Sequence, residues 1–261
     1  MNSISFLPAS AYFILGAVIG SFLNVCIYRI PEGMSIVSPA SRCPQCKSAI
    51  RWYQNIPIIS YLYLRGRCAS CGAGIPMRYP MVEALTGALF VLVGLRLGGF
   101  YVIPVYWLFV ASLVVITFID MDHQIIPDVI SLPGVVAGFL LSFCVPWLSW
   151  TDSLFGILLG GGSLYLVAKT YYLLTKVEGM GGGDVKLLAM IGAFLGWKAV
   201  LPVIFLGSLS GAMVGVPLML VKRAGGKLAI PFGPFLALGA VIYLLFGSSL
   251  VEWYLSLIFV K

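Results

Sequence analysis

Eight apolar runs divide most of this chain into segments that are long enough, or nearly so, to cross a lipid bilayer. They cover residues 8–28, 80–97, 101–119, 129–148, 153–174, 185–197, 200–221 and 233–256. A helix that spans a bilayer needs about 20 predominantly apolar residues. Only 10% of the residues are charged, against about 25% in soluble domains. The pattern therefore predicts an all-α polytopic membrane protein with about eight transmembrane helices.

A polar segment over residues 29–79 separates the first two apolar runs. It contains four cysteines and seven basic residues, namely Arg29, Arg42, Lys47, Arg51, Arg65, Arg67 and Arg78. Cytoplasmic loops of membrane proteins are rich in Lys and Arg, so we place this segment in the cytoplasm and the N-terminus outside. The predicted parts are a first transmembrane helix at 1–28, a cytoplasmic domain at 29–79 and a membrane domain at 80–261. Basic loops facing an anionic leaflet account for the net charge of +7, so we infer no nucleic-acid partner.

The cysteines of the polar segment form two C-x-x-C pairs, Cys43 with Cys46 and Cys68 with Cys71. Four thiolates in this arrangement are typical of a closed tetrahedral Zn²⁺ site. Two disulfides or redox-active dithiols are the alternative, which a reducing cytoplasm disfavours, and iron at the same four thiolates stays open. We predict a structural zinc that holds together a segment with little core of its own.

Two aspartates adjoin apolar sequence where a carboxylate is costly. Asp120 follows Val-Val-Ile-Thr-Phe-Ile without a break, and Asp184 follows a glycine run that starts at Gly179 and includes Gly181 and Gly183. A carboxylate in the middle of a membrane helix costs about 2.5–3.5 kcal/mol. Glycines permit unusual torsions and close approach, and amides at a helix start can face a developing anion. Helix N-capping is the alternative role for Asp184.

The predicted topology places Asp120 and Asp184 at the same depth, at the cytoplasmic ends of the third and sixth apolar runs. Two neighbouring aspartates cannot both ionise, so they share a proton. The pair therefore predicts aspartic peptide hydrolysis, in which one carboxylate takes a proton from water and the other carboxyl protonates the scissile carbonyl. Nearby Asp122 and His123 are also consistent with ordinary polar residues at headgroup level. Asp128, after a proline, is expected to N-cap the fourth helix.

Other catalytic classes lack their characteristic residues in this chain. The single histidine excludes an H-E-x-x-H zinc peptidase, and the chain has no nucleotide-binding P-loop. Gly207-Ser-Leu-Ser-Gly211 does not have the spacing of a membrane serine protease. Two other hypotheses are a transporter that moves cations through its acids and a membrane scaffold that presents the cysteine-rich segment. Acids clustered at one membrane face disfavour the transporter, and the glycines before Asp184 disfavour the scaffold.

The motifs together resemble the type IV prepilin peptidase family, the leader peptidases of type IV pili and type II secretion. The resemblance covers nearly the whole chain. Its motifs, in order, are Gly20–Pro31, the two C-x-x-C pairs, Asn55–Tyr61 with Arg78–Pro80 and Glu83, Phe118–Asp122 with Pro127–Asp128, Gly181–Asp184, and Pro231–Pro234. Six motifs in the same order are much more specific than any one of them.

The resemblance implies a G-x-G-D intramembrane aspartic protease of the bacterial inner membrane, with Asp120 and Asp184 as its catalytic pair. Asp122, Asp128, Gly181 and Gly183 are then the supporting motif residues. The implied substrate is a prepilin or pseudopilin, cleaved after a glycine at the cytoplasmic face. The leader's basic residues need acidic partners, for which the candidates are Glu178, Asp122 and Asp128.

The resemblance also implies a second activity, because many family members with the zinc domain methylate the new N-terminus using S-adenosylmethionine. The chain has no Rossmann-like glycine motif, so this activity rests on the resemblance alone. Gly66, beside the second cysteine pair, is the candidate methyltransferase residue. Glu83 lies within the second apolar run, where pairing with a basic residue is expected. Proton supply or substrate contact is the alternative role for Glu83.

Overall fold

The computed structural model describes residues 8–97, 99–176, 181–222 and 230–259. Within these ranges the chain forms the α-helices α1 Ala9–Arg29, α2 Ile59–Tyr63, α3 Arg78–Arg96, α4 Val102–His123, α5 Asp128–Ser142, α6 Trp150–Thr175, α7 Gly182–Leu195, α8 Trp197–Lys222 and α9 Gly233–Phe259. The described residues contain two isolated β-bridges and no β-strand. The all-α prediction is therefore confirmed.

Five of the described helices, α1, α3, α4, α6 and α8, are long and apolar enough to cross a membrane. Helices α5 and α7 have only 15 and 14 residues, fewer than the roughly 20 that a full crossing requires. The fourth predicted helix extended to residue 148, whereas α5 ends at Ser142. Pro146 prevents the helix from continuing to residue 148, because the residue before a proline is disfavoured in the helical conformation.

The chain divides into two compact units, residues 1–115 and 116–261. In the first unit α1 packs closely on α3, and a Cβ added at Gly20 would lie 2.8 Å from the Cα of Glu83. The buried Asn24 side chain of α1 donates to the Tyr79 carbonyl of α3 at 3.1 Å. These contacts fix the two helices that begin and end the polar segment.

In the second unit α7 packs against α5 and α6 and is largely buried. Gly192 of α7 meets Gly156 of α6 so closely that neither position has room for a Cβ. The buried Ser153 hydroxyl of α6 also donates to the Ala193 carbonyl of α7 at 2.8 Å. This packing fixes a helix that is too short to cross a bilayer alone, and its first turn carries Asp184.

Candidate active site and metal centre

The two predicted acids lie in the second unit and interact electrostatically. Asp120 is in the last turns of α4, is only 5% exposed, and its Oδ2 accepts a hydrogen bond from the Gly233 amide at 3.0 Å. Asp184 is half-buried in the first turn of α7, and the charge of Asp120 acts on it. Helices α4, α7 and α9 thus bring together two carboxylates and one backbone donor.

Ile126, in the link between α4 and α5, packs beside both the glycine run and the start of α9. A Cβ added at Gly183 would lie 2.8 Å from the Ile126 Cβ, and one added at Gly233 would lie 3.4 Å from its Cδ1. Sequence reasoning missed Ile126 entirely and noted Gly233 only as part of a family signature. No local pattern in the sequence indicates either contact, because both depend on how distant segments pack.

Of the three glycines directly before Asp184, Gly183 is needed for close approach, and none is needed for unusual torsions. None of Gly181, Gly182 and Gly183 has a positive φ, so the torsional explanation does not hold for these residues. Gly183 faces Ile126, which leaves no room for a side chain at that position. The N-cap of α7 is Gly181, so the N-cap alternative for Asp184 is wrong. Gly179 lies outside the described residues.

Asp128 forms an ion pair with Lys186. The Lys186 Nζ lies 2.7 and 2.8 Å from the two carboxylate oxygens, and both side chains are partly exposed. The predicted N-cap role of Asp128 is wrong, because Pro127 holds the N-cap position and Asp128 is the first residue of α5. Its carboxylate turns instead to the lysine two residues after Asp184. Asp122 is exposed in the last turn of α4, and Glu178 lies outside the described residues.

The four cysteines of the polar segment form one cluster with the geometry of a metal site. Their Sγ atoms all lie within 4.8 Å of one another, and the Sγ atoms of Cys43 and Cys71 are 3.9 Å apart. Thiolates around one tetrahedral Zn²⁺ at about 2.3 Å are separated by about 3.8 Å. All four cysteines are free thiols, so the two-disulfide alternative is not what the structure has. This four-cysteine cluster therefore fits a single four-coordinate metal ion.

The two C-x-x-C pairs lie in turns of the same design. The Lys47 amide donates to the Cys43 carbonyl, and the Gly72 amide donates to the Cys68 carbonyl, both at 2.9 Å. Lys47 and Gly72 each have a positive φ, 58° and 74°. An isolated antiparallel bridge closes each turn, Arg42 with Ala49 and Arg67 with Gly74. Paired turns of this kind agree with the predicted zinc-ribbon-like insert.

The thiols of this cluster differ in acidity. A hydrogen bond from Ser48 lowers the pKa of Cys46 to about 6. A backbone hydrogen bond at Ala73 acts to lower the pKa of Cys71, but the hydrogen bonds with the neighbouring thiols outweigh it and raise that pKa to about 11. A metal ion must displace the remaining protons before four thiolates can bind it.

Glu83 is buried in α3 and holds a strained turn of the polar segment. Its Oε2 accepts a hydrogen bond from the Ile58 amide at 2.7 Å. Ile58 has a φ of 61°, which is rare for a β-branched residue. Glu83 was expected to pair with a basic residue, but it binds a backbone amide instead. Proton supply and substrate contact therefore have no support from this geometry.

Gly66 occupies a tight turn beside the second cysteine pair. It has a φ of 66°, and a Cβ added there would lie 2.9 Å from the Tyr61 hydroxyl oxygen. The turn alone accounts for a glycine at this position. Its methyltransferase role stays a prediction.

Two known sequence families match consecutive parts of the chain. Residues 14–97 match the bacterial peptidase A24 N-terminal domain, and residues 107–216 match the type IV leader peptidase family. Similar curated proteins are prepilin leader peptidase/N-methyltransferases. The one from Aeromonas hydrophila is 38% identical over 98% of this chain and 96% of its own length. The Pseudomonas aeruginosa protein is 38% identical over 93% and 92%, and the Neisseria gonorrhoeae protein 37% over 93% and 93%. No solved structure matches the chain.

Proposed function

Since this chain belongs to the type IV leader peptidase family, we propose that it removes the basic leader of type IV prepilins or pseudopilins. In this proposal it is an aspartic endopeptidase of the bacterial inner membrane that works at the cytoplasmic face. It then methylates the new N-terminus, with S-adenosylmethionine as the methyl donor. The names of its relatives support both activities.

The observation that carries the peptidase proposal is the packing around Ile126 in the second unit, because Ile126 lies against Gly183, the residue before Asp184, and beside Gly233, whose amide binds Asp120. Among the described residues no hydrogen bond joins the two carboxyls. An ionised aspartate would take a proton from water, whose oxygen attacks the scissile carbonyl carbon. The protonated partner would donate its proton to the carbonyl oxygen. Collapse of the resulting diol then breaks the C–N bond. The proton held by the first aspartate passes to the leaving amine, and one hydroxyl proton of the diol returns to the second aspartate.

Two of the candidates for recognition of the basic leader lie in the described residues. Asp128 is partly exposed and pairs with Lys186. Asp122 is exposed two residues after Asp120, on the last turn of the same helix. Both stay candidate partners for a leader lysine or arginine.

The four-cysteine cluster would hold a structural zinc through Cys43, Cys46, Cys68 and Cys71. Four protein thiolates complete a tetrahedral coordination shell, so this metal has no position for substrate or water. Its contribution is the folding of residues around two short turns. Gly66 stays the candidate residue for methyl transfer.

The proposal is tested with the protein in detergent and a purified prepilin, by following the mass of the pilin N-terminus. The wild type, Asp120→Asn and Asp184→Asn are compared with Glu32→Gln, which removes an exposed acid of the polar segment. The wild type and Glu32→Gln should remove the leader. Each asparagine should lower the rate about 10³-fold or more, because it keeps the shape but cannot exchange the proton.

Addition of S-adenosylmethionine should then increase the mass of the processed pilin by one methyl group. Cleavage by both asparagine variants at the wild-type rate would exclude this acid pair. The transporter hypothesis would then be tested by measuring ion flux in vesicles.

A further inference from the structure

The amide of Gly233 binds a side chain at the start of α9. The first four amides of a helix have no regular partner within the helix. Here Pro234 has no N–H, and the amide of Phe235 donates to the Phe232 carbonyl at 3.1 Å. The Gly233 amide donates instead to Oδ2 of Asp120 at 3.0 Å, in a buried position.

This hydrogen bond distinguishes the two carboxylate oxygens of Asp120. An N–H group donates and cannot accept, so Oδ2 is committed as an acceptor. Among the described residues Oδ1 has no hydrogen-bond partner. Oδ1 is therefore the oxygen of Asp120 that no described residue binds.

We propose that Gly233 is a positioning residue of the acid pair, whose amide holds Oδ2 of Asp120 so that Oδ1 exchanges the proton with water or substrate. This inference rests on the peptidase function proposed above. The glycine is required as well as the amide, because a Cβ there would lie 2.6 Å from Oδ2 and 3.2 Å from Cγ. The same added Cβ would also lie 3.4 Å from Cδ1 of Ile126. A side chain at 233 would therefore turn the carboxyl away from its working orientation.

The test uses Gly233→Ala in the full-length protein, with prepilin cleavage measured as separate kcat and KM values. A misplaced catalytic group costs about 100-fold in rate, so kcat should fall by about that factor. KM should change little, because the substrate does not lose a contact. Gly211→Ala is the matched control, since its new Cβ would lie 3.4 Å from the Phe235 ring, an ordinary contact distance.

The amount of folded protein is judged in the same sample by N-methylation of a pilin peptide that already lacks its leader. The ratio of cleavage to methylation should fall about 100-fold in Gly233→Ala and stay unchanged in Gly211→Ala. An unchanged ratio in Gly233→Ala, or a loss confined to KM, would overturn the positioning role. A wild type that does not cleave prepilin would instead contradict the proposed function.

Discussion

The four-cysteine cluster and the acid pair both bring reactive side chains together. The thiols come from two short turns, whereas the carboxylates come from helices that are far apart in the sequence. Each half of the cluster is one short turn, closed by a hydrogen bond from Lys47 to Cys43 or from Gly72 to Cys68. The acid pair instead combines α4, α7 and the start of α9, with Ile126 between them. The thiols are thus arranged by local backbone geometry, and the carboxylates by the packing of distant helices.

This difference determines how each site should fail. A metal that bridges two local turns contributes most of the free energy that holds them together. The acid pair is held by helix packing instead, and its geometry depends on close contacts that a single methyl group would disturb. We therefore expect the first site to respond to loss of a ligand, and the second to small changes of shape.

The largest expected effect is the loss of the metal in Cys46→Ser. A structural zinc site contributes about 10–16 kcal/mol of apparent binding free energy in small metal-dependent domains. Removal of one thiolate should lower the zinc content measured by mass spectrometry well below one ion per chain. It should also open residues 29–79 to limited proteolysis.

Two variants serve as controls for this prediction. Cys144→Ser changes an exposed cysteine outside the cluster, and Asp184→Asn changes the acid pair. Both should keep a full complement of zinc. Full zinc retention by Cys46→Ser would mean that the four thiols are not the metal ligands.

An intermediate effect is expected from Gly183→Ala, which changes the shape of the acid site without removing a charge. The new Cβ would lie 2.8 Å from the Ile126 Cβ, so the link between α4 and α5 or the first turn of α7 must shift. A shift of this kind should lower kcat for prepilin cleavage by about 100-fold.

Gly182→Ala is the matched control, because a Cβ at Gly182 would have no neighbouring heavy atom within 4 Å. Alanine is also the better helix former by about 1 kcal/mol, so this variant should be at least as stable as the wild type. Equal rates for the two alanine variants would show that the Ile126 contact does not shape the site.

The same difference explains what the sequence could and could not predict. The C-x-x-C spacing was enough to predict the four-cysteine cluster, because the geometry of each pair is local. The positive-inside pattern put Asp120 and Asp184 at one depth, and the structure describes an interaction between them. Neither the Gly233 donor nor the pair of Asp128 with Lys186 could be predicted, since no sequence periodicity records a contact between distant residues.

Two errors concern the partners of single acidic residues. Asp128 has the residue type of an N-cap, but Pro127 holds that position and the Asp128 carboxylate pairs with Lys186 of another helix. Glu83 was expected to seek a charge and instead accepts a hydrogen bond from the strained Ile58 amide. In both cases tertiary structure supplied a partner that local rules do not consider.

The smallest expected effect comes from exchanging the residues at equivalent positions of the two cysteine turns. Lys47 has the left-handed conformation that glycine adopts freely, and Gly72 occupies the same place in the second turn. A side chain in this conformation costs about 1 kcal/mol. Gly72→Lys should therefore weaken zinc binding about fivefold, and Lys47→Gly should strengthen it, as measured by competition with a chelator. Both changes should be smaller than the strain alone suggests, because a glycine also increases the freedom of the unfolded chain.

Lys47→Gln controls for the charge of Lys47 near the thiolates, because it removes the charge but keeps a side chain in the same conformation. If Lys47→Gly and Lys47→Gln both weaken zinc binding, attraction between the lysine and the thiolates outweighs the backbone strain. The two turns would then be alike in backbone and unlike in electrostatics. If only Lys47→Gly strengthens binding, backbone strain at that position limits the affinity of the site, and the second turn is the better formed of the two.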